Sequence, residues 1–442
     1  MTSSFIQVIV CLLAAIAVII LLTAKYRVHA FFALLIACFL VGLGVQLPFA
    51  DILTAIKGGF GHIMQSLGLI IVMGTTLGVL LEHAGCTRVM AEFILKKTGE
   101  KKAPLAMSIT GFIVGLPVFC DSGYIVLSGL NQSLAKRTGI SVVIMAVSLA
   151  TGLYAVHCLI PPHPGAATAA VTIGADIGQL ILIGIAVAIP GMIAGYLWAN
   201  YAGKKVQHVA ASAEHITVNT VTPSVLMSFL PVIVPILLIS VNSFLSLEKR
   251  SAGLLQKIFA VLGEPVIALS VGVLLVLVSL RKWKKQAFGK LLQEGAEKAG
   301  GILVIIGAGG AFGAVLAATK IGDHFSEAFN LESMGIFFPF LLTFILKTAQ
   351  GSSTVAIITA AFIIQPLLPA LGLATEWGRL LCVLSMGAGS MMISHANDAY
   401  FWVISKFSGL EMKPMLKVYS VATAWMGLVT LAVVYILSLF LL

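Results

Sequence analysis

Residues 104–134, PLAMSITGFIVGLPVFCDSGYIVLSGLNQSL, decide the fold of this chain. The stretch is too long for one membrane-spanning helix, which needs roughly 20 apolar residues, and GLPVFCDSGY (115–124) breaks it near the middle. A second long apolar stretch, 335–371, is broken by KTAQGSSTVA (347–356). Polar backbone at membrane depth is tolerated only where protein or a water-filled cavity surrounds it. We therefore interpret both stretches as re-entrant hairpins whose tips face the protein interior.

The composition of the whole chain is that of a membrane protein. Of its 442 residues, 59% are hydrophobic and 10% are charged, and the mean hydropathy is +1.07. Soluble proteins carry roughly 25% charged residues, so this chain has too little polar surface to fold in water. The net charge of +10 does not indicate a nucleic-acid-binding protein, because the basic residues form short clusters between apolar runs. The sequence predicts an all-α polytopic membrane protein.

Ten further apolar runs are long enough to cross a bilayer. They lie at about 5–24, 30–47, 67–82, 140–160, 178–201, 223–242, 263–280, 301–318, 378–395 and 415–441. Ten crossings place the basic clusters of 88–102, 136–137 and 204–205 together on the cytoplasmic side, with both termini outside. The cluster at residues 249–257 is the exception to this charge rule.

The two halves of the chain contain the same set of predicted segments. Residues 1–202 hold five predicted spans and one hairpin, a polar linker of residues 203–222 is predicted in the cytoplasm, and residues 223–442 hold five more spans and the second hairpin. Because five is odd, the second half starts from the opposite side of the membrane, so the predicted repeat is inverted. Inverted repeats with broken helices are typical of secondary transporters, in which two inverted copies allow access from either side.

The first hairpin tip carries Asp121, Ser122 and Gly123 at the start of a predicted half-helix. The N–H groups and the dipole of a helix N-terminus attract anions such as a carboxylate. A charged carboxylate within the membrane costs ~2.5–3.5 kcal/mol on insertion scales, so we expect Asp121 to bind a proton, a cation or substrate hydroxyls. Capping of the half-helix by Asp or Ser is the structural alternative.

The second hairpin tip is dense in hydroxyl and N–H groups that suit a polyhydroxylated anion. It consists of Gln350, Gly351, Ser352, Ser353 and Thr354. A Gly/Ser hinge with helix caps is the alternative. Lys347 precedes the tip and is predicted either to neutralise a carboxylate or to stabilise Asp121 or Asp398, unless it extends to the membrane surface.

Two further breaks, HCLIPPHPG beginning at His157 and SHANDAYFW beginning at Ser394, follow the hairpins at equivalent places. Proline lacks an amide hydrogen and interrupts a helix, whereas histidine titrates near neutral pH or hydrogen-bonds a neighbouring helix. The second break adds His395, Asn397 and Asp398. Neither HExxH nor CxxC spacing occurs, so no zinc site is predicted, and the lack of a GxxxxGK[ST] motif indicates transport driven by an ion gradient.

Four motifs together resemble those of the gluconate permease (GntP) family: FCDSGY (119–124), HCLIPPHPG (157–165), QGSSTVA (350–356) and SHANDAYFW (394–402). The resemblance covers essentially the whole chain. It implies a multi-pass protein of the bacterial inner membrane that carries gluconate or a related sugar acid with protons and without another cofactor. It also implies the paired re-entrant hairpins, the elevator-type motion and the homodimer or homotrimer of the wider ion transporter superfamily.

The first tip departs from the family pattern. Sugar-acid members of the family tend to have Asp-Val-Gly-Phe at this tip, whereas this chain has Asp121-Ser122-Gly123-Tyr124. Because of the two added hydroxyls, threonate, erythronate and glycerate remain candidate substrates beside gluconate. Retention of Asp121 favours a sugar acid over D-serine, which a divergent member of the family carries.

The resulting hypothesis is symport of a sugar-acid anion with protons. Its substrate-binding candidates are Asp121, Ser122, Gly123, Tyr124, His157, Gly351, Ser352, Ser353, Thr354, His395 and Asn397. Asp121, Asp398 and Lys347 are the candidates for proton coupling. The alternatives are a permease for D-serine or another small hydroxy or amino acid, a sodium-coupled symporter, an anion channel and an intramembrane metalloenzyme.

Overall fold

The computed structural model describes residues 5–206, 223–247, 254–279, 285–320, 333–395 and 398–442, and the regular secondary structure of these residues is helical. The first half contains α1 (Phe5–Ile20), α2 (Ala30–Gly44), α3 (Phe49–His83), α4 (Cys86–Thr98), α5 (Ala103–Gly115), α6 (Cys120–Thr138), α7 (Val142–Leu159), α8 (Pro164–Ile173) and α9 (Ile177–Gly203). The second half contains α10 (Val225–Leu247), α11 (Leu254–Leu262), α12 (Pro265–Ser279), α13 (Lys285–Ala318), α14 (Phe337–Gln350), α15 (Ser353–Ile364), α16 (Glu376–Met391), α17 (Ala399–Ser408) and α18 (Val421–Leu441).

The chain is an all-helical multi-pass membrane protein. Seven helical segments among the described residues are long and apolar enough to cross a bilayer, and the bent pair α11–α12 would make eight. Ten crossings were expected, and the difference lies mainly in two predicted spans. Residues 30–47 and 378–395 coincide with α2 and α16, which have 15 and 16 residues and are shorter than the roughly 20 that a crossing needs.

Both long apolar stretches fold as a helix, a break and a second helix, as the sequence predicts. The first break lies at residues 116–119, where Pro117 has no amide hydrogen for a helical bond. The second lies at Gly351 and Ser352, and Gly351 has φ +85°, a left-handed conformation that glycine adopts without a Cβ clash. The histidine motifs also interrupt helices, between α7 and α8 and between α16 and α17.

Equivalent helices of the two halves pack against each other. The long helices α3 and α13 run antiparallel, because Gly59 lies against Gly310 while the Thr75 hydroxyl donates to the Gly295 carbonyl at 3.2 Å. In the same way the second helix of each broken stretch packs on a ten-residue helix of the other half, α6 on α17 and α15 on α8. The breaks of both halves are thereby brought to one place. Residues 207–222 of the predicted linker lie outside the described residues.

Candidate functional site

The tips of the two broken segments line a common cavity of about 460 Å³, which is within the usual range for small-molecule sites. The lining residues are Phe119, Cys120, Asp121, Ser122, Tyr154, His157, Pro164, Lys298, Ile302, Ile305, Gln350, Gly351, Ser352, Ser353, Thr354, Val355, Ile358, Asp398, Ala399 and Tyr400. The tips are more than 200 residues apart in sequence, so the packing of the two halves creates this cavity.

The first tip presents an open helix N-terminus to the cavity. Phe119 precedes α6 and provides no side-chain cap, so the first amide groups of α6 are left to water or a ligand. Asp121 and Ser122 follow within the first turn and line the cavity. Gly123 and Tyr124 lie outside the lining: Gly123 packs against Leu153, and the Tyr124 hydroxyl is 2.5 Å from Ser408 Oγ on α17.

The second tip presents another helix N-terminus and several polar side chains. The Ser352 hydroxyl accepts a hydrogen bond from the Val355 amide at 3.3 Å and so caps α15, which supports the capping alternative for this residue. Ser353 and Thr354 also line the cavity. Gln350 lines it too, and both polar atoms of its side chain are buried without a hydrogen-bond partner among the described residues. Buried polar groups are normally satisfied, so Gln350 is suited to bind a ligand hydroxyl or water.

A buried ion pair joins the second tip to the break before α17. Lys347 Nζ donates to Asp398 Oδ2 and to the Gly351 carbonyl oxygen, each at 2.6 Å. Asp398 also accepts from the Ser394 hydroxyl and, through Oδ1, from the Tyr400 amide at 3.0 Å. Of the partners predicted for Lys347, the structure therefore selects Asp398, and no ion pair to Asp121 occurs among the described residues.

Histidine side chains occupy both breaks but differ in their access to the cavity. His157 lines it, stacks on Tyr154 and lies 3.3 Å from the Thr354 hydroxyl through Nε2, while its buried Nδ1 has no partner among the described residues. His395 is outside the lining and contacts the Thr348 carbonyl oxygen at 3.2 Å. Asn397 lies outside the described residues.

Several lining residues were not predicted from the sequence. Lys298 on α13 is the main one, because it adds a positive charge to the wall and forms an ion pair with Glu294 at 2.8 Å. Tyr154 and Tyr400 stack on each other and close the site from the α7 and α17 sides. Lys298 belongs to an amphipathic segment, where a lysine at one turn's spacing from a glutamate is typical of a solvated helix face.

The described residues show no group of three or more His, Cys, Asp and Glu side chains that could hold a metal ion. His157 and His163 have ring centroids 4.8 Å apart, but His163 Nε2 contacts the Gly115 carbonyl oxygen and thus already has a partner. The cavity instead combines groups that can bind an organic anion, namely helix N-termini, hydroxyls, an amide and a lysine, with the carboxylates of Asp121 and Asp398.

A sequence model described as GntP family permease matches residues 7–440. The chain belongs to this family. A gluconate permease of Pseudomonas aeruginosa is 31% identical over 95% of this chain and 95% of its own length. An uncharacterized permease of Haemophilus influenzae is 34% identical over 94% and 90%, and the D-serine transporter DsdX of Escherichia coli is 30% identical over 98% and 99%. These relatives are permeases and transporters, not enzymes, and this GntP family member is likewise a permease.

Solved structures share the fold at low sequence identity. The YdaH transporter of Alcanivorax borkumensis superposes with a TM-score of 0.66 at 15% identity, covering 88% of both chains. MtrF of Neisseria gonorrhoeae superposes with a TM-score of 0.64 at 15% identity, covering 88% of this chain and 84% of its own. At this identity the superpositions establish the fold of the permease and carry no information about its substrate.

Proposed function

We propose that this permease imports gluconate or a shorter sugar-acid anion together with protons across the bacterial inner membrane. The observation that carries the proposal is the shared cavity, in which two helix N-termini from different halves of the chain face one space. One N-terminus follows Phe119 and the other follows Ser352. Each attracts negative charge through its free N–H groups and its dipole, so a carboxylate bound between them is stabilised from two sides.

The remaining groups of the cavity match the hydroxylated part of such a substrate. The side chains of Ser122, Gln350 and Thr354 supply donors and acceptors at the two tips. Lys298 adds a cation on the opposing helix α13. A sugar acid combines one carboxylate with several hydroxyls, and the cavity combines sites for both.

Asp121 is the better candidate for the proton carrier. Adding a proton to Asp398 would remove a buried ion pair with Lys347, whereas Asp121 has no cationic partner among the described residues. A neutral Asp121 would also lower the repulsion between its carboxyl group and an incoming anion. Proton and substrate would then promote each other's binding, which is the coupling that a symporter needs.

The proposed movement is an elevator-type exchange between conformations open to the two sides. The antiparallel packing of α3 with α13 and the reciprocal pairs α6–α17 and α15–α8 support an inverted repeat, because α3 corresponds to α13 and the contact of α6 with α17 corresponds to that of α15 with α8. We propose that the broken segments are re-entrant hairpins, that α2, α12 and α16 complete ten crossings, and that the permease works as a homo-oligomer.

A D-serine permease is the second candidate function. The observation that favours it is the absence of a cation beside Asp121 among the described residues, because the ammonium group of an amino acid could pair with this carboxylate. The similar identities of the gluconate and D-serine relatives do not separate the two substrates.

Uptake into proteoliposomes tests these proposals. The purified permease is reconstituted, and labelled gluconate is offered under an inside-alkaline pH gradient without sodium, with threonate, glycerate and D-serine as unlabelled competitors. Accumulation that collapses with a protonophore supports proton symport, and the order of competition ranks the substrates. Accumulation only with a sodium gradient would replace the proton by sodium, and flux that never exceeds equilibrium would indicate a channel. In a parallel assay with each acid labelled in turn, uptake of D-serine without uptake of any sugar acid would reject the sugar-acid proposal.

A further inference from the structure

A second polar cavity shares no lining residue with the transport site and lies where the segments before α5 and α7 meet the end of α9. This interfacial cavity has a volume of about 490 Å³ and is lined in part by Lys101, Lys102, Ser141, Asn200 and Lys204. Three lysines face it, and no acidic side chain is among the described residues that line it. The nearby Glu100 is engaged by Arg137 at 2.6 Å. The cavity therefore carries uncompensated positive charge.

The start of α7 adds to this positive potential. Ser141 precedes α7 and makes no side-chain hydrogen bond to its first turn, so the first amide groups of this 18-residue helix are open. Ser141 and Ile144 both line the cavity, which places the N-terminus of α7 at its wall. An oxyanion bound among the lysines would also lie at the positive end of the α7 dipole.

An apolar groove lies next to the interfacial cavity on another face of α9. Its walls are Ala194, Leu197, Trp198, Tyr201 and Trp425. The Trp198 and Trp425 rings lie 6.3 Å apart, and the indole N–H of Trp198 has no hydrogen-bond partner among the described residues. Exposed tryptophan and tyrosine side chains at the end of a membrane-spanning helix are typical of the interface between lipid tails and headgroups.

We propose that the interfacial cavity and the apolar groove together bind one anionic phospholipid. The phosphate would occupy the cavity among Lys101, Lys102 and Lys204, and an acyl chain would lie along the groove. A lipid explains why a basic cavity and an apolar groove share the last turns of α9, whereas a free phosphate would use only the basic cavity. Basic pockets between membrane-spanning helices at the headgroup level are suited to acidic lipids.

Lipid binding to the purified, delipidated permease tests the proposal independently of transport. Binding of dioleoyl phosphatidylglycerol is measured by native mass spectrometry and by the shift in thermal unfolding, beside dioleoyl phosphatidylcholine and inorganic phosphate. The test variant is Lys101→Gln/Lys102→Gln/Lys204→Gln. Its control, Lys406→Gln/Lys413→Gln/Lys417→Gln, removes the same charge from exposed lysines that do not line the cavity. We expect the test variant to bind phosphatidylglycerol roughly 100-fold more weakly and the control to bind it as the wild type does.

Other results would overturn the proposal. Equal binding of phosphatidylcholine would remove the role of lipid charge, and competition by inorganic phosphate at the concentration of the lipid would indicate a site for free phosphate. Unchanged binding in the test variant would show that the three lysines do not form the site. A test variant that fails to fold is replaced by the triple Lys→Arg variant and by Trp198→Leu: the arginines should retain lipid binding, and the loss of Trp198 should weaken it at least fivefold. Failure of both expectations also refutes the site. A protein that binds this lipid but does not transport sugar acids would leave the inference standing and reject only the proposed function.

Discussion

The ion pair between Lys347 and Asp398 allows a quantitative test of the site's architecture. Both side chains are almost fully buried, at 1% and 8% exposure, and the N–O distance is 2.6 Å. Removal of one member of such a pair leaves an uncompensated buried charge, which costs about 3–5 kcal/mol. We therefore expect Lys347→Met and Asp398→Asn each to lower the free energy of unfolding by about that amount. The side-chain amide introduced by Asp398→Asn would keep an oxygen that can accept from the Tyr400 amide, so the start of α17 remains capped.

The double variant Lys347→Met/Asp398→Asn separates charge from shape. It contains no unpaired charge and loses mainly the hydrogen bonds from Lys347 to Gly351 and from Ser394 to Asp398, at about 1 kcal/mol each. We expect its free energy of unfolding to exceed that of either single variant. Equilibrium unfolding in mixed detergent micelles, followed by circular dichroism, supplies the four values of the cycle. A double variant that is as unstable as the sum of the singles would refute the reasoning that the pair compensates buried charge.

Three further predictions concern transport and packing. Asp121→Asn is expected to abolish accumulation driven by the pH gradient while sparing exchange of labelled for unlabelled substrate. The control Asp51→Asn, at an exposed position on α3, should change neither rate. If Asp121→Asn still accumulates substrate with the pH gradient, another group carries the proton. Gln350→Leu removes the unpartnered amide from the cavity and should raise the KM for the sugar acid roughly 10- to 100-fold in the uptake assay. The control Gln365→Leu, at an exposed position, should leave the KM unchanged. An unaltered KM in Gln350→Leu would mean that Gln350 does not contact the substrate. Gly59→Ala places a methyl group against the Gly310 carbonyl at the crossing of α3 and α13 and should destabilise the protein by about 1–3 kcal/mol in thermal or denaturant unfolding. The control Gly58→Ala meets open space and should stabilise α3 by about 0.5–1 kcal/mol. Equal stabilities of the two variants would contradict the close approach of these helices.

In the proposed symport, the number of protons carried with each substrate anion determines whether transport moves net charge, and the uptake assay can measure that number. One proton carried with one monoanion moves no net charge, so only the pH difference would drive transport, at about 1.4 kcal/mol per pH unit. A second proton would make transport electrogenic and add ~2.3 kcal/mol per 100 mV of membrane potential. Valinomycin-induced potassium potentials distinguish the two stoichiometries.

The membrane-protein class and the positions of the helix breaks could be predicted from the sequence because both depend on local chemistry. Pro117 and the prolines of HCLIPPHPG lack amide hydrogens, and glycine at 351 permits a left-handed conformation, so local chemistry favours a break at these places. The family likewise followed from motifs, and the family match confirmed it. The number of crossings was less accessible, since α2 and α16 are short helices within longer apolar runs.

The partners of individual side chains were decided by tertiary structure. The sequence left Lys347 a choice between two aspartates, and the packing of α14 against the break before α17 selects Asp398. Tyr124 follows Asp121 by about one helical turn, yet its hydroxyl contacts Ser408 on α17 and it does not line the cavity, a partner that only the packing of α17 on α6 supplies. Lys298 enters the site from a helix whose sequence pattern is that of a solvated face. Local sequence therefore determines where this chain breaks its helices, whereas contacts between residues far apart in the chain, set by the packing of the two halves, determine which groups meet at the breaks.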